Sequence, residues 1–321
     1  MVPRMSSTLR ARLAALLLTV GLALLAPIAP ATAAGPYAVG KRSYTFVDTS
    51  RPTSANGTYP GAPTRTLQTL LLYPAKGDPA GAVVDNAPAL ATSKDNRFPL
   101  IVFSHGFGAS GPAYQPVLQQ LVRRGYVVAA PTFPLSNGAA PGGARLVDYV
   151  NQPADVSFVL RSVLRVARHS ADLRRSVSSR RIGAAGHSLG AITTLGVATN
   201  SCCVDRRIRA AVAWSGIELP FPGGSAFSGP TPPLMLVHGD ADRTVPFAGS
   251  LSAYAQAPAP KALVRLLGAP HVPFGPPWGS VVTAATADWF DRWLKRDRGA
   301  LARLRTDANV SGVATLGLST G

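Results

Sequence analysis

Cysteine and negative charge are both scarce in this chain. Its 321 residues include two cysteines, adjacent at Cys202 and Cys203, and 15 acidic residues against 32 basic ones. The two cysteines have no histidine or further cysteine at metal-ligand spacing, which argues against a metal site. Adjacent cysteines bridge only by distorting the peptide between them, but an exported chain meets oxidising conditions. A vicinal Cys202–Cys203 disulfide and a pair of thiols both remain open. Runs of basic residues are also missing. The arginines are scattered, with short doublets such as Arg123-Arg124 and Arg180-Arg181, and five of the basic residues are lysine. No basic stripe is interleaved with aromatics, so nucleic acid is not an expected partner. The chain lacks internal repeats and coiled-coil heptads. Beyond residue 34 it has no unbroken apolar stretch of membrane-spanning length, so an integral membrane protein is not expected.

The one long apolar run lies at the start. Arg4, Arg10 and Arg12 precede "LAALLLTVGLALLAPIA", and "ATAA" follows with small residues at the peptidase recognition positions. That is the layout of a cleavable secretory signal peptide over residues 1–34, and it predicts an extracellular protein. Pro27 and Pro30 interrupt the run, against a membrane anchor, and no cysteine ends it, against lipid attachment. Removing the leader takes the formal charge from +17 to +14 and leaves 287 residues, enough for one large α/β domain over 35–300. A tail, 301–321, is small and polar and is assigned no element. So basic an exported protein suits residence on anionic polymers or acidic lipid surfaces.

From Phe98 onward short apolar runs alternate with amphipathic segments. "RTLQTLLLYPA" reads as an antiparallel strand entering a sheet. "FPLIVFSHG", "YVVAAPTF", "RRIGAAG", "IRAAVAWSG", "PLMLVHGD" and "KALVRLLG" read as further strands. "YQPVLQQLVRRG", "QPADVSFVLRSVLRVAR", "SLGAITTLGVAT" and "GSVVTAATADWFDRWLKRD" read as the helices between and after them. This alternation predicts a mostly parallel sheet covered on both faces.

Gly186-His187-Ser188-Leu189-Gly190 falls between an apolar strand and a helix start. A serine on a sharp strand-to-helix turn needs small neighbours two residues to either side, so that its hydroxyl stands above the sheet. Alone, the pattern favours such an elbow over a plain turn but does not decide between them. Three further features follow the order such a site requires. His105-Gly106-Phe107-Gly108 leaves an early strand, where the Phe107 N–H, with that of Leu189, can receive an oxyanion. Gly239-Asp240-Ala241-Asp242 ends a late strand. Asp242 is the better placed acid because it lies farther along the loop, and Asp240 reads as a turn-bracing residue. His271 lies 29 residues beyond Asp242 in "GAPHVPF". Of the five histidines, it alone is placed to act as a base.

In this reading His271 takes the proton of Ser188 as the hydroxyl attacks an ester carbonyl, Asp242 holds the imidazole, and water releases the acyl group. No cap domain fits the 53 residues between Ser188 and Asp242. An open, shallow site is therefore expected, lined by Phe107, Trp214 and Phe274, with the Gly-rich residues 135–145 as a flexible cover. Asp148, Asp155 and Asp205 read as structural, Asp155 in the first turn of a helix.

These motifs, "FSHGFG", "QPADVSFVL", "GHSLG", "HGDADRTVP" and "GAPHVPF", in this order resemble the α/β-hydrolase superfamily. Within it the chain looks like the exported bacterial branch related to platelet-activating-factor acetylhydrolase, chlorophyllase-like and polyester-hydrolase (cutinase-like) enzymes. The resemblance implies a cofactor-free serine esterase, here expected to be a monomer acting on lipid-like or polymeric esters. Two alternatives are a lipase or phospholipid-type acyl hydrolase, and a non-catalytic domain of the same fold that binds a ligand or cell-wall polymer. The chain departs from the actinobacterial polyester hydrolases, which carry Met after the nucleophile and a C-terminal disulfide. It departs from dienelactone hydrolases in having serine rather than cysteine as nucleophile.

Overall fold

Strands that are apolar along their whole length cannot leave a face in water, and the central strands here are of that kind. In the computed structural model, which describes residues 36–321, every residue of β4 (Phe98–Ser104) and β8 (Leu234–Gly239) is buried. They belong to a sheet that also contains β1 (Ala38–Asp48), β2 (Arg65–Ala75), β3 (Val84–Asp85), β5 (Val127–Thr132), β6 (Val177–His187), β7 (Ile208–Trp214), β9 (Lys261–Leu266) and β10 (Ala314–Ser319). Its order is β10-β9-β8-β7-β6-β4-β5-β2-β1-β3. From β5 to β9 neighbouring strands run parallel, while β1–β2, β2–β5 and β9–β10 are antiparallel.

Helices cover both faces, as parallel strands require. On one face α1 (Gln115–Arg123) and α5 (Trp278–Phe290) bury Leu118, Leu121, Val282 and Trp289 against Ile101, Val128 and Val212. On the other, α2 (Gln152–His169) places Val156, Val159, Leu160 and Val163 on Leu100, Val102 and Ala184. Beside it α3 (Leu189–Thr199) and α4 (Phe247–Gln256) pack Leu195 and Ala253 on Ala211 and Leu236. The chain leaves β4 for β5 on one side, then returns to place β6 on the other. The crevice at the carboxyl ends of β4 and β6 is thus the switch point where such sheets bind ligands.

A buried charge network braces the entry to the sheet. Arg65, 1% exposed at the start of β2, spans two aspartates. Its Nη2 lies 2.8 Å from Asp148 Oδ2 and 2.6 Å from Asp155 Oδ2. Arg51 adds a 2.6 Å bond to Asp155 and a 2.8 Å bond to Asp48. Asp155 does lie in the first turn of its helix, but guanidinium groups claim its oxygens.

Three segments differ from the sequence reading, the first being β1, which it assigned to no element. Residues 301–321 are not an unstructured tail: α6 (Ala300–Asp307) buries Leu304, and β10 pairs along all of β9. The alternation in "ATLGLS" is too short and too rich in small residues to announce a strand, and an edge position needs only one face covered. Helix α4 was also not anticipated, because "FAGSLSAYAQ" lacks a strong apolar stripe and carries Gly249. The adjacent cysteines are joined as a disulfide. The predicted signal peptide lies outside the described residues. Among those described, no helix is long and apolar enough to cross a membrane.

Candidate active site

Ser188 follows directly on β6 with φ 56° and ψ −120°, a conformation an L-residue adopts only under constraint, at a cost of roughly 1–3 kcal/mol. The constraint comes from close packing. A Cβ at Gly186 would collide with the carbonyl of Gly190, and one at Gly190 with the carbonyls of Ser104 and His105. The two glycines therefore let strand, turn and helix close up around the serine.

Three loops at the carboxyl ends of the strands converge on that turn. The Oγ of Ser188 lies 2.8 Å from Nε2 of His271, in the loop after β9. Nδ1 of the same ring lies 2.7 Å from Oδ2 of Asp242, beyond β8. Asp242 Oδ1 accepts from the N–H groups of Thr244 and Val245 at 2.7 and 2.8 Å. Burial would raise the pKa of Asp242, but hydrogen bonds from His238 and His271, the His271 charge and the Val245 amide outweigh it and hold the carboxyl below its ordinary range. Asp240 is engaged elsewhere: it takes 2.8 Å and 2.7 Å bonds from Arg265 Nε and the Gly268 N–H, as a bracing residue does.

The Phe107 amide is aimed by its neighbours. The carbonyl of Gly106 accepts from Nδ1 of His105 at 2.7 Å and from the Ala109 N–H at 3.1 Å. His105 Nε2 accepts from the Phe133 N–H at 2.9 Å, so the ring proton sits on Nδ1. Burial lowers the pKa of His105 to about 4 and keeps the ring neutral. In a trans peptide the N–H opposes the carbonyl, so pinning Gly106 C=O on one side turns Phe107 N–H to the other. Leu189 opens α3, and its N–H is among those a helix leaves without an internal acceptor.

Of the two candidate substrate contacts, Trp214 is a core residue. It is 0% exposed, donates through Nε1 to Thr286 Oγ1 at 3.0 Å, and packs on Phe103 and Phe274. It is the last residue of β7, and its side chain points into the face covered by α5, where the indole N–H finds a partner. Phe274, 4% exposed, lies with it against Tyr114 and His187 and supports the site from beneath. The apolar surface beside Ser188 is instead a cluster of Leu189, Ile192 and Phe221 with half-buried Phe107, Leu146, Tyr149, Ile217 and Leu219 around it. Phe107 was expected there; the rest was hidden in the sequence because it gathers from helix α3, the turn at 146–151 and the loop at 215–233. Residues 135–145 are tethered rather than free: the Gly108 N–H donates to Ser136 O, and Asn56 Nδ2 donates to the carbonyls of Pro141 and Gly143.

The sheet order and elbow define an α/β-hydrolase fold. The family model described as Chlorophyllase matches residues 84–236. Among solved structures, a ferulic acid esterase from Streptomyces cinnamoneus is similar, with a TM-score of 0.60 and 22% identity over 84% of this chain and 93% of that one. At that identity the likeness speaks for the fold. The family match supports a carboxylic ester hydrolase of that fold, and over residues 84–236 the chain is similar to the chlorophyllase family.

Proposed function

We propose that the protein is an exported serine esterase, its signal peptide covering residues 1–34 and its hydrolase domain running from residue 35. Ser188 is the nucleophile, His271 the base and Asp242 the acid. The observation that carries this reading is the unbroken row Ser188 Oγ, His271 Nε2, His271 Nδ1, Asp242 Oδ2, with steps of 2.8 and 2.7 Å. His271 accepts the hydroxyl proton at Nε2 as Ser188 Oγ bonds to the ester carbonyl carbon. The imidazolium is stabilised through Nδ1–H by Asp242, and the carbonyl oxygen, now negative, is met by the N–H groups of Phe107 and Leu189. His271 returns the proton to the departing alcohol. It then draws one from water, which displaces Ser188 from the acyl group.

The apolar cluster around Phe107, Tyr149 and Phe221 supports an acyl or aryl group rather than a charged one on the acid side of the ester. Among the described residues, α3, β7, β8 and the irregular residues 200–207 and 215–233 make up the chain between Ser188 and the loop of Asp242, with no inserted helical lid. Such a site suits lipid-like or polymeric esters. Hydrolysis of nitrophenyl esters from acetyl to palmitoyl, of a hydroxycinnamate ester and of a polyester suspension, each beside Ser188→Ala, tests the reading. Activity confined to the unsubstituted protein and highest on short or aromatic acyl groups supports an esterase. A maximum at long chains moves the assignment to a lipase. Activity surviving in Ser188→Ala overturns the mechanism.

A further inference from the structure

Two buried side chains that take no part in the chemistry above join all three loops of the site. Tyr114, at the entry to α1, is 3% exposed, and its hydroxyl oxygen accepts the N–H of Gly106 at 3.2 Å. The same hydroxyl lies 2.7 Å from Nδ1 of His187. Nε2 of His187 lies 2.8 Å from the backbone carbonyl of His271.

The protons in this chain can be assigned. A carbonyl only accepts, so His187 carries its proton on Nε2 and donates to His271 O. Nδ1 is then an acceptor, and the Tyr114 hydroxyl, already accepting from Gly106, donates to it. Every donor in the row is used once: Gly106 N–H to Tyr114, Tyr114 O–H to His187, His187 N–H to His271 C=O. The arrangement works only while His187 is neutral. Burial, with the nearby charge of His271 second, lowers its pKa to about 3. Ring packing encloses the same row, with His187 and His271 centroids 4.9 Å apart and Phe274 against both His187 and Tyr114.

We propose that Tyr114 and His187 are positioning residues, forming a hydrogen-bonded brace that fixes the oxyanion loop and the base loop relative to Ser188. The inference rests on the assignment of Ser188, His271 and Asp242 given above. Tyr114 holds the Gly106 N–H while His105 and Ala109 hold the Gly106 carbonyl, so Gly106, the residue preceding Phe107, is gripped through both of its backbone polar groups. His187 immediately precedes Ser188 and holds the backbone of the residue whose ring Asp242 holds at Nδ1. The base is thereby fixed at two points, and the three loops move together or not at all. The brace touches no substrate atom. Its effect belongs to the alignment of Phe107 N–H and His271 Nε2 with the reacting centre, where displacement of about 1 Å can cost 100-fold.

Tyr114→Phe removes one hydroxyl and keeps the ring in its packing. His187→Gln can keep an N–H near the position of Nε2 but loses the ring acceptor Nδ1 that faces Tyr114. Both singles and the double variant are compared for kcat, KM, thermal midpoint and the rate of labelling by a fluorophosphonate, which reads the serine and base without an ester substrate. The expected result is a fall in kcat and in labelling rate of roughly 10- to 100-fold in each single, with KM within about threefold. The double variant loses no more than the worse single, because one brace is broken once. Unchanged kcat in folded Tyr114→Phe, or losses that multiply in the double variant, overturns the brace. A lower thermal midpoint with unchanged labelling rate assigns the pair to stability alone and overturns it too. Failure of the underlying assignment looks different: the unsubstituted protein then resists labelling, or Ser188→Ala still hydrolyses.

Discussion

His238 and His271 donate to the same oxygen of Asp242, at 3.0 and 2.7 Å. His238 lies on β8, wholly buried, with Nδ1 2.7 Å from the Ser250 hydroxyl and Nε2 also 3.0 Å from the Val245 carbonyl. Two acceptors at Nε2 put a proton there, and the Ser250 hydroxyl beside Nδ1 also lies 3.1 Å from the Gly216 carbonyl. Asp242 thus has four donors, two from amides and two from imidazoles. His238→Phe removes one donor from a buried carboxylate, which costs about 1–3 kcal/mol. Urea unfolding should show that loss, and kcat should fall without a matching change in KM.

The two aspartates of "GDAD" are expected to separate sharply. Asp242→Asn presents an amide where His271 Nδ1–H needs an acceptor with negative charge, and kcat should drop by about 10³–10⁴-fold. Asp240→Asn touches Arg265 and Gly268 on a partly exposed loop and should leave kcat within about twofold, its cost limited to about 1 kcal/mol of stability. Steady-state kinetics of the two variants side by side checks this.

Much of this arrangement could be read from the chain because it is local. "GHSLG" between an apolar strand and a helix start demands small residues on each side of a strained serine, and Gly186 and Gly190 meet that demand by contact. Asp242 and His271 were legible from their position after strands. What was not legible depends on direction and on distance along the chain. Whether Trp214 points toward the crevice or into the core is decided by the pleat of β7, and a one-residue change of phase reverses it. The partnership of Tyr114 with His187 joins residues 73 apart, and no local pattern marks it. β10 was unreadable for another reason: an edge strand is specified by its neighbour β9 more than by its own sequence.

Removing Arg65 should be costly for the same long-range reason. Arg65→Leu leaves Asp148 and Asp155 buried with fewer cationic partners, and loss of one member of a buried ion pair costs about 3–5 kcal/mol. The denaturation midpoint should fall accordingly. Because Leu146 and Tyr149 border the apolar cluster from the turn that Asp148 anchors, KM for apolar esters should rise as well.

Stability should decline as pH falls from about 6.5. His105 and His187 have folded pKa values lowered to about 4 and about 3, against an unfolded value near 6.5. Between those values the unfolded chain binds more protons than the folded one, so stability rises with pH there and is lost on acidification. Each histidine contributes a slope of up to about 1.4 kcal/mol per pH unit. Further down, Asp172, whose pKa is held low by Arg42 against the opposing effect of burial, and Asp242 add their own loss as they protonate. Chemical denaturation at a series of pH values should give this slope, and His187→Gln should reduce it.

The central claim is that Ser188, activated by His271, forms the acyl-enzyme. The most direct test is mass spectrometry of the protein after brief exposure to a nitrophenyl phosphonate, with the modified peptide sequenced. The account predicts one adduct per chain, on Ser188, formed quickly in the unsubstituted protein and at least 100-fold more slowly in His271→Ala. An adduct on another residue, or an ester hydrolase activity that survives with Ser188 unmodified, would contradict it.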